Sequence, residues 1–416
     1  MVGAKDRPEM PFLIFLRTNA AWLAAGALLA FLSAFGQTYF IAVFAGEIRA
    51  ELRLSHSAWG GIYSLATMTS AAIMLWAGAL TDRYRVRSLG TAMLVCLALA
   101  CLAMAALPGV WALFPTLLAL RFFGQGMTVQ TAMVAMARWF VASRGRALAV
   151  ASLGFSTAEV VLPLTFVAAL GHVGWRWLWV VAAGVILALT PLVWPLLRTE
   201  RTPQSIARAN PSPGMEGRDW TRPEVLRHRL FWMAAPALMA CPVFVTMIFF
   251  TQVEFAQVKG WSHVAFVALF PVSTVAGIAG MFLAGWAIDR VGTARILPLA
   301  LLPLLVALLL LSLTQGGVPI ALAMALTGLS QASMGTLASA FWAEFYGTRH
   351  IGAVKALGGS IMVLGTAIGP GASGLLLDAG ISLPAILLGN AGIVALSVLL
   401  IAAGIASVAG RLPPRP

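Results

Sequence analysis

The sequence predicts an all-α integral membrane protein: twelve transmembrane helices in two pseudo-symmetric six-helix bundles. Three observations predict it. The 416 residues are 60% hydrophobic and 10% charged, against about 25% charged in soluble domains. The apolar residues fall in long uninterrupted runs, as helices in lipid require, and not in the weak alternation of a barrel. Two stretches, WAGALTDRYRVRSLG at 76–90 and LAGWAIDRVGTARIL at 283–297, place Gly-x-x-x-Asp-Arg at the end of a greasy segment 207 residues apart.

A helix needs about 20 residues to cross roughly 30 Å of hydrocarbon. The start, MVGAKDRPEMPFLIFLRTN, has charges on both sides of a short apolar patch and no small-residue cleavage site, so it reads as a tail and not as a signal peptide. The first run, 20–45, is then an uncleaved insertion signal. Runs at 57–81 and 88–107 flank the first Asp-Arg loop. Those at 110–139 and 147–171 each carry an ionisable residue near mid-span, and the sixth covers 175–197. Residues 198–229, RTERTPQSIARANPSPGMEGRDWTRPEVLRHR, form the longest polar segment and divide the runs six and six. The second six are 230–256, 263–288, 294–314, 317–343, 352–377 and 383–408. The expected domains are an N-terminal tail (1–19), a first bundle (20–197), a central loop (198–229), a second bundle (230–408) and a C-terminal tail (409–416).

Lys and Arg orient the runs. With the N-terminus cytoplasmic, inside segments hold 22 of the 27 basic residues; outside segments hold Arg49, Arg53, Arg176 and Lys259, and Arg121 lies within a span. This positive-inside bias predicts two cytoplasmic termini and a multi-pass protein of a bacterial inner membrane. It also accounts for the net charge of +13, which therefore reflects topology and anionic lipid. No nucleic-acid motif accompanies it. Cys96, Cys101 and Cys241 sit in apolar runs without a Cys-x-x-Cys pair, so no disulfide framework or metal site is expected.

The two Asp-Arg loops belong to a longer correspondence. Offsetting the chain by 207 aligns Glu47 with Glu254, Ser55 with Ser262, His56 with His263, Gly78 with Gly285, Asp82 with Asp289, Arg83 with Arg290, Gly145 with Gly352 and Pro163 with Pro370. Because six is even, both halves run in the same direction, which is the parallel repeat of an alternating-access transporter. The chain resembles the major facilitator superfamily over essentially its whole length, and the Gly-x-x-x-Asp-Arg loops resemble its cytoplasmic signature. The second copy keeps Gly292 and Arg295; the first has Arg85 and Val86 where Gly and a basic residue are usual, with Arg87 restoring charge. The resemblance implies that Gly78, Asp82, Arg83, Gly285, Asp289 and Arg290 form a conformational latch. Small glycines favour close helix approach, and the aspartates can accept hydrogen bonds at a helix N-terminus.

Arg121 and Glu159 lie at similar depths in consecutive antiparallel spans. An unpaired charge there costs at least ~2.5–3.5 kcal/mol, so an interior Arg–Glu pair is expected. Protonating Glu159 would free Arg121 to hold an anion; the alternative is a structural ion pair. Arg121 followed by FFGQG resembles the superfamily's helix-4 motif, which implies proton coupling. Gln37, Gln125, Gln252 and Gln331 are further candidates for the solute path. Gly365, Gly369 and Pro370 resemble a Gly-Pro signature but fall in the other half from its usual place, and read as hinge and packing residues.

These features point to a monomeric secondary transporter of a small solute, coupled to H+ and embedded in the lipid bilayer, with no cofactor, metal or ATP. The segments MARWFVASRGRALAVASLGFS and GWRWLW are similar to those of monocarboxylate and organic-anion members. Efflux of lipophilic compounds is the alternative, and a non-transporting sensor on the same scaffold comes third. No catalytic triad, His-Glu-x-x-His or phosphate-cradling loop appears, so no enzyme is expected.

Overall fold

The computed structural model describes residues 12–77, 80–140, 144–197, 214–347, 350–408 and 410. Among these every regular element is helical. The principal helices are α1 (Ala20–Leu32), α2 (His56–Ala77), α3 (Val86–Ala105), α4 (Val110–Leu120), α5 (Val129–Trp139), α6 (Arg144–Leu170) and α7 (Trp175–Leu189). They are followed by α8 (Arg229–Phe250), α9 (Gln252–Lys259), α10 (Phe270–Val291), α11 (Leu302–Leu313), α12 (Gly317–Tyr346), α13 (Ile351–Asp378) and α14 (Leu383–Ala406).

Each of the twelve expected runs is mainly helical where it is described, with breaks inside several of them. Nine helices among the described residues are long and apolar enough to cross a membrane. The pair Ala20–Gly36 and Thr38–Leu52, bent by 45°, makes a tenth. The remaining two runs are more polar or more broken. Helix α2 is diluted by Ser, Thr and Gly, and the run at 110–139 divides into α4, a wide-turn segment and α5. The run expected at 230–256 also breaks, at Thr251 between α8 and α9.

The chain forms two compact units. The first comprises Met1–Leu54 and Leu65–Ala207; the second comprises Ser55–Ser64 and Arg208–Pro416. The grouping differs from the sixfold division of the sequence in one place: Ser55–Ser64, at the start of α2, pack with the second unit.

In the first unit α1 packs on α6, and α3 on α7. A buried aromatic cluster crosses these layers. Phe40 meets Phe35 at 5.0 Å, Phe166 of α6 at 4.9 Å and Trp179 of α7 at 5.3 Å, in edge-to-face geometry. In the second unit α10 packs on α12, and α8 on α13. Glycines set this second crossing, since a Cβ on Gly369 would collide with the Val243 carbonyl and one on Gly365 would lie 2.8 Å from Pro242. Gly365, Gly369 and Pro370 are thus close-packing positions inside an unbroken α13.

The described part of the central segment folds onto the second unit. Trp220 is buried, its backbone N–H donates to Tyr346 O at 3.0 Å, and its indole N–H donates to Met215 O at 3.2 Å. The helix Arg222–Arg227 follows, with Glu224 accepting from the Thr221 N–H at 2.7 Å. The Thr221 hydroxyl, which donates to the same carboxylate, and then this N–H hold the Glu224 carboxyl below the usual carboxylate range.

Candidate functional site: a broken helix around Arg121

The first membrane run does not remain an α-helix. After α1 the chain tightens into a 3-10 turn at Ser33–Gly36, and Gln37 takes an extended conformation (φ −86°, ψ 155°) before the helix resumes at Thr38. Broken backbone within a membrane is tolerated where protein groups satisfy it. Here a partner is Arg121. Its Nη1 donates to Gly36 O, before the break, and to the Thr38 hydroxyl, after it, both at 3.2 Å. Its Nε donates to Thr67 of α2 at 3.2 Å. The Arg121 side chain is 1% exposed. The guanidinium therefore joins both sides of the break to α2.

Arg121 also starts an irregularity of its own. From Arg121 to Thr128 the chain forms a π-helix between α4 and α5, a rare wide turn often found at functional sites. The Thr128 hydroxyl reaches back five residues to Phe123 O at 2.6 Å. Gly124 and Gly126 weaken the α-helix here. Gly124 has a second role, because a Cβ on it would lie 2.6 Å from Gly36 Cα. Two glycines bring the π segment and the broken turn into backbone contact, and Arg121 ties that contact.

Glu159 lies on α6 and is partly accessible. Tyr39 packs edge-on against Phe155, one turn before Glu159, at 5.8 Å. Successive residues of the resumed helix thus meet Arg121 and α6, Thr38 through its bond to Arg121 and Tyr39 through Phe155. Among the described residues Glu159 makes no hydrogen bond.

The sequence-derived candidates divide between the units. Gln37 is the residue at the break, and Gln125 lies on the π segment beside Gly36. Gln252 is buried in the second unit, where its Oε1 lies 3.2 Å from His263 Nε2, and Gln331 is exposed on α12. Nearby, Lys259 donates to Thr314 O at 2.6 Å, and burial lowers its pKa from the ordinary lysine value. Sequence reading missed Thr67, one of several hydroxyls in an apolar run.

Of the expected latch, Gly78 and the side chains of Asp82, Arg83 and Asp289 lie outside the described residues. Arg290 is exposed over the Trp286 ring at 4.9 Å. The expected close helix approach at Gly285 is not found: among the described residues no atom lies within 4 Å of a Cβ placed there.

Long apolar helices, one of them broken at Gln37, mark a polytopic membrane protein. The chain belongs to the Major Facilitator Superfamily, which matches residues 26–323 and again 274–415; its function is transport and not enzymatic catalysis. Solved structures share the fold. A bacterial homolog of the human lysosomal transporter Spinster, in an inward-facing and unoccupied conformation, has TM-score 0.72 at 14% identity, over 96% of this chain and 99% of that one. The same homolog in an inward-facing and occupied conformation has TM-score 0.64 at 14% identity, over 93% and 92%. The nucleoside transporter NupG has TM-score 0.70 at 14% identity, over 92% and 99%. No curated protein matches the sequence.

Proposed function

We propose that the protein is a secondary transporter that moves a small solute by alternating access, driven by H+ through Glu159. One observation carries this reading: a partly accessible carboxylate lies one helical turn after Phe155, which packs on Tyr39, while the preceding residue, Thr38, is held by the buried Arg121. Protonating Glu159 removes a negative charge next to the broken helix, in a medium where charge is costly. Arg121 supplies the fixed positive charge and the tether of the break. The positive-inside pattern supports two cytoplasmic termini in a bacterial inner membrane, and a monomer suffices for this mechanism. The Gly-x-x-x-Asp-Arg loops act as a cytoplasmic latch in this reading.

The same observation bears on the solute. An organic anion such as a monocarboxylate requires a cation free to receive it, and Arg121 is closed off. Glu159 is the more accessible of the two charges. This favours the second reading, lipophilic compounds, including those with a positive charge.

Thermal stability of the purified protein against organic acids and lipophilic cations, at about pH 5.5 and about pH 7.5, tests both readings, since ligands of the native state raise apparent stability. Cations are expected to stabilise the wild type more at the higher pH, where Glu159 carries charge more often, and Glu159→Gln is expected to remove that pH dependence. Stabilisation by a carboxylate that Arg121→Ala abolishes restores the anion reading. Proteoliposome uptake that ignores an imposed proton gradient overturns the coupling.

A further inference from the structure

Residues Ser55–Ser64 belong to the second unit although α2 continues into the first. Their attachment is specific. Asp378, the last residue of α13, accepts hydrogen bonds from the backbone N–H groups of His56 at 3.0 Å and Ser57 at 2.7 Å. A carboxylate from one helix thereby caps the N-terminus of another, where orphan donors and the helix dipole both favour negative charge. Lower down, the Ser64 hydroxyl donates to Ala367 O at 2.6 Å, and Trp59 stacks on Phe250 at 5.9 Å between centroids.

One contact at this attachment depends on a proton. His56 Nδ1 lies 3.4 Å from Glu254 Oε1, with side chains 30% and 12% exposed. The cleft beside them, lined by Trp59, Phe250, Ser373 and Leu377, has room for about one water molecule. Glu254 is therefore largely removed from bulk solvent, and His56 is an ionisable group beside it.

We propose that His56, Glu254 and Asp378 form a proton-operated clasp that seats Ser55–Ser64 on the second unit. With neutral imidazole, His56 and Glu254 share at most one hydrogen bond. Protonated His56 makes the same contact an ion pair at a site poorly screened by water. The positive end of the helix opposes an imidazolium there; Glu254 from α9 lies 3.4 Å from the ring, and Asp378 from α13 caps the same helix end. Helix α14 contains no ionisable side chain. On α9, Lys259 is directed to Thr314 O; His263 is engaged by Gln252. The added attraction is present below the imidazole titration, near pH 6.5 for an ordinary histidine, and is lost as pH rises through it. In the orientation proposed above, this end of the unit faces outside, so an acidic exterior holds the segment seated.

Amide hydrogen exchange of the full-length protein in detergent tests the clasp. Peptides covering 55–64 are followed at about pH 5.5 and about pH 7.5, with rates corrected for intrinsic exchange. Several-fold greater protection is expected in the wild type at the lower pH. His56→Gln and Glu254→Gln should each abolish the pH difference, and Asp378→Asn should lower protection at both pH values. Glu159→Gln should leave the difference intact, which separates this clasp from the proposed proton coupling. Equal protection at the two pH values in the wild type, or a difference that survives His56→Gln or Glu254→Gln, overturns the proposal.

Discussion

The two units share a repeat but not an interior chemistry. In the first, a buried arginine ties a broken helix to a π segment and to α2. The 207-residue offset places Gly328 opposite Arg121, Val245 opposite Thr38 and Thr366 opposite Glu159. None of these carries charge. At Gly328 the second unit closes instead of opening, because a Cβ there would collide with the Ser273 carbonyl of α10. Several of its buried polar groups are hydroxyls returned to backbone, such as Thr327 to Ala323 O at 2.8 Å and Ser330 to Ala300 O at 2.6 Å. Repetition thus preserved the helix layout, while ionisable chemistry at mid-membrane depth was confined to one copy.

Mutations at the paired positions break this comparison most directly. Arg121→Ala is expected to have the largest effect. It deletes three charge-assisted hydrogen bonds, each worth about 1.5–3 kcal/mol when made by a charged group, and leaves Gly36 O, Thr38 and Thr67 without that donor. Because neighbouring bonds are not additive, a loss of about 3 kcal/mol or more is expected, read as the thermal midpoint in detergent. Arg121→Lys should recover only part of it, because an ammonium lacks the guanidinium fork. If Arg121→Ala unfolds no earlier than wild type, Arg121 is not the tether of the break.

Gly328→Ala comes next. Backbone stands where the new methyl group would go, so α10 and α12 must separate, at a cost of about 1–3 kcal/mol typical of overpacking. The same melting experiment checks it, and an unchanged midpoint would mean the crossing is looser than the contact with Ser273 indicates. Together the two substitutions test whether the first unit depends on charge where the second depends on the lack of a side chain.

Much of the scaffold was legible in the sequence because its signals are one-dimensional. Long apolar runs report helices in lipid, and rare residues at a constant offset report the repeat. Arg121 and Glu159 were legible because a charge in an apolar run is costly wherever its partners lie. The break at Gln37 and the π segment were not legible. Each leaves hydrophobicity intact, and their cause is an approach of Gly36 to Gly124 across 88 residues of chain. Glu254 stands near a span end in the sequence, yet it is 12% exposed, with His56, remote in sequence, lying against it. Gln331 and Gln252 show the converse, since polarity in a run does not say whether a side chain is exposed, as Gln331 is, or engaged, as Gln252 is by His263.

Glu159→Gln sharpens the comparison with a smaller effect on stability. The carboxylate makes no hydrogen bond among the described residues, so its amide should melt at or slightly above the wild-type midpoint. Charge at this depth costs about 2.5–3.5 kcal/mol on the lenient insertion scale, and the amide avoids it. Transport driven by a proton gradient should nevertheless fall to background in proteoliposomes. A variant that melts early and still transports would assign Glu159 to structure, as the hydroxyls of the second unit are assigned.

The smallest effect is expected at the rim of the first unit. Arg176 pairs with Glu51 at 2.6 Å and also donates to Ala105 O at 2.8 Å and Leu107 O at 2.9 Å, so it caps the end of α3. Trp175 adds an indole hydrogen bond to the same carboxylate at 2.8 Å. The two charged side chains are 35% and 44% exposed, so solvent and salt screen the pair. Glu51→Gln should therefore cost no more than about 1 kcal/mol, and the cost should shrink at high salt. Arg176→Ala should cost more than Glu51→Gln, because it also removes the cap on α3. Melting both variants at low and high salt separates the terms: a salt-independent remainder in Arg176→Ala reports the two carbonyl bonds. Equal losses in the two variants would place the whole contribution in the ion pair.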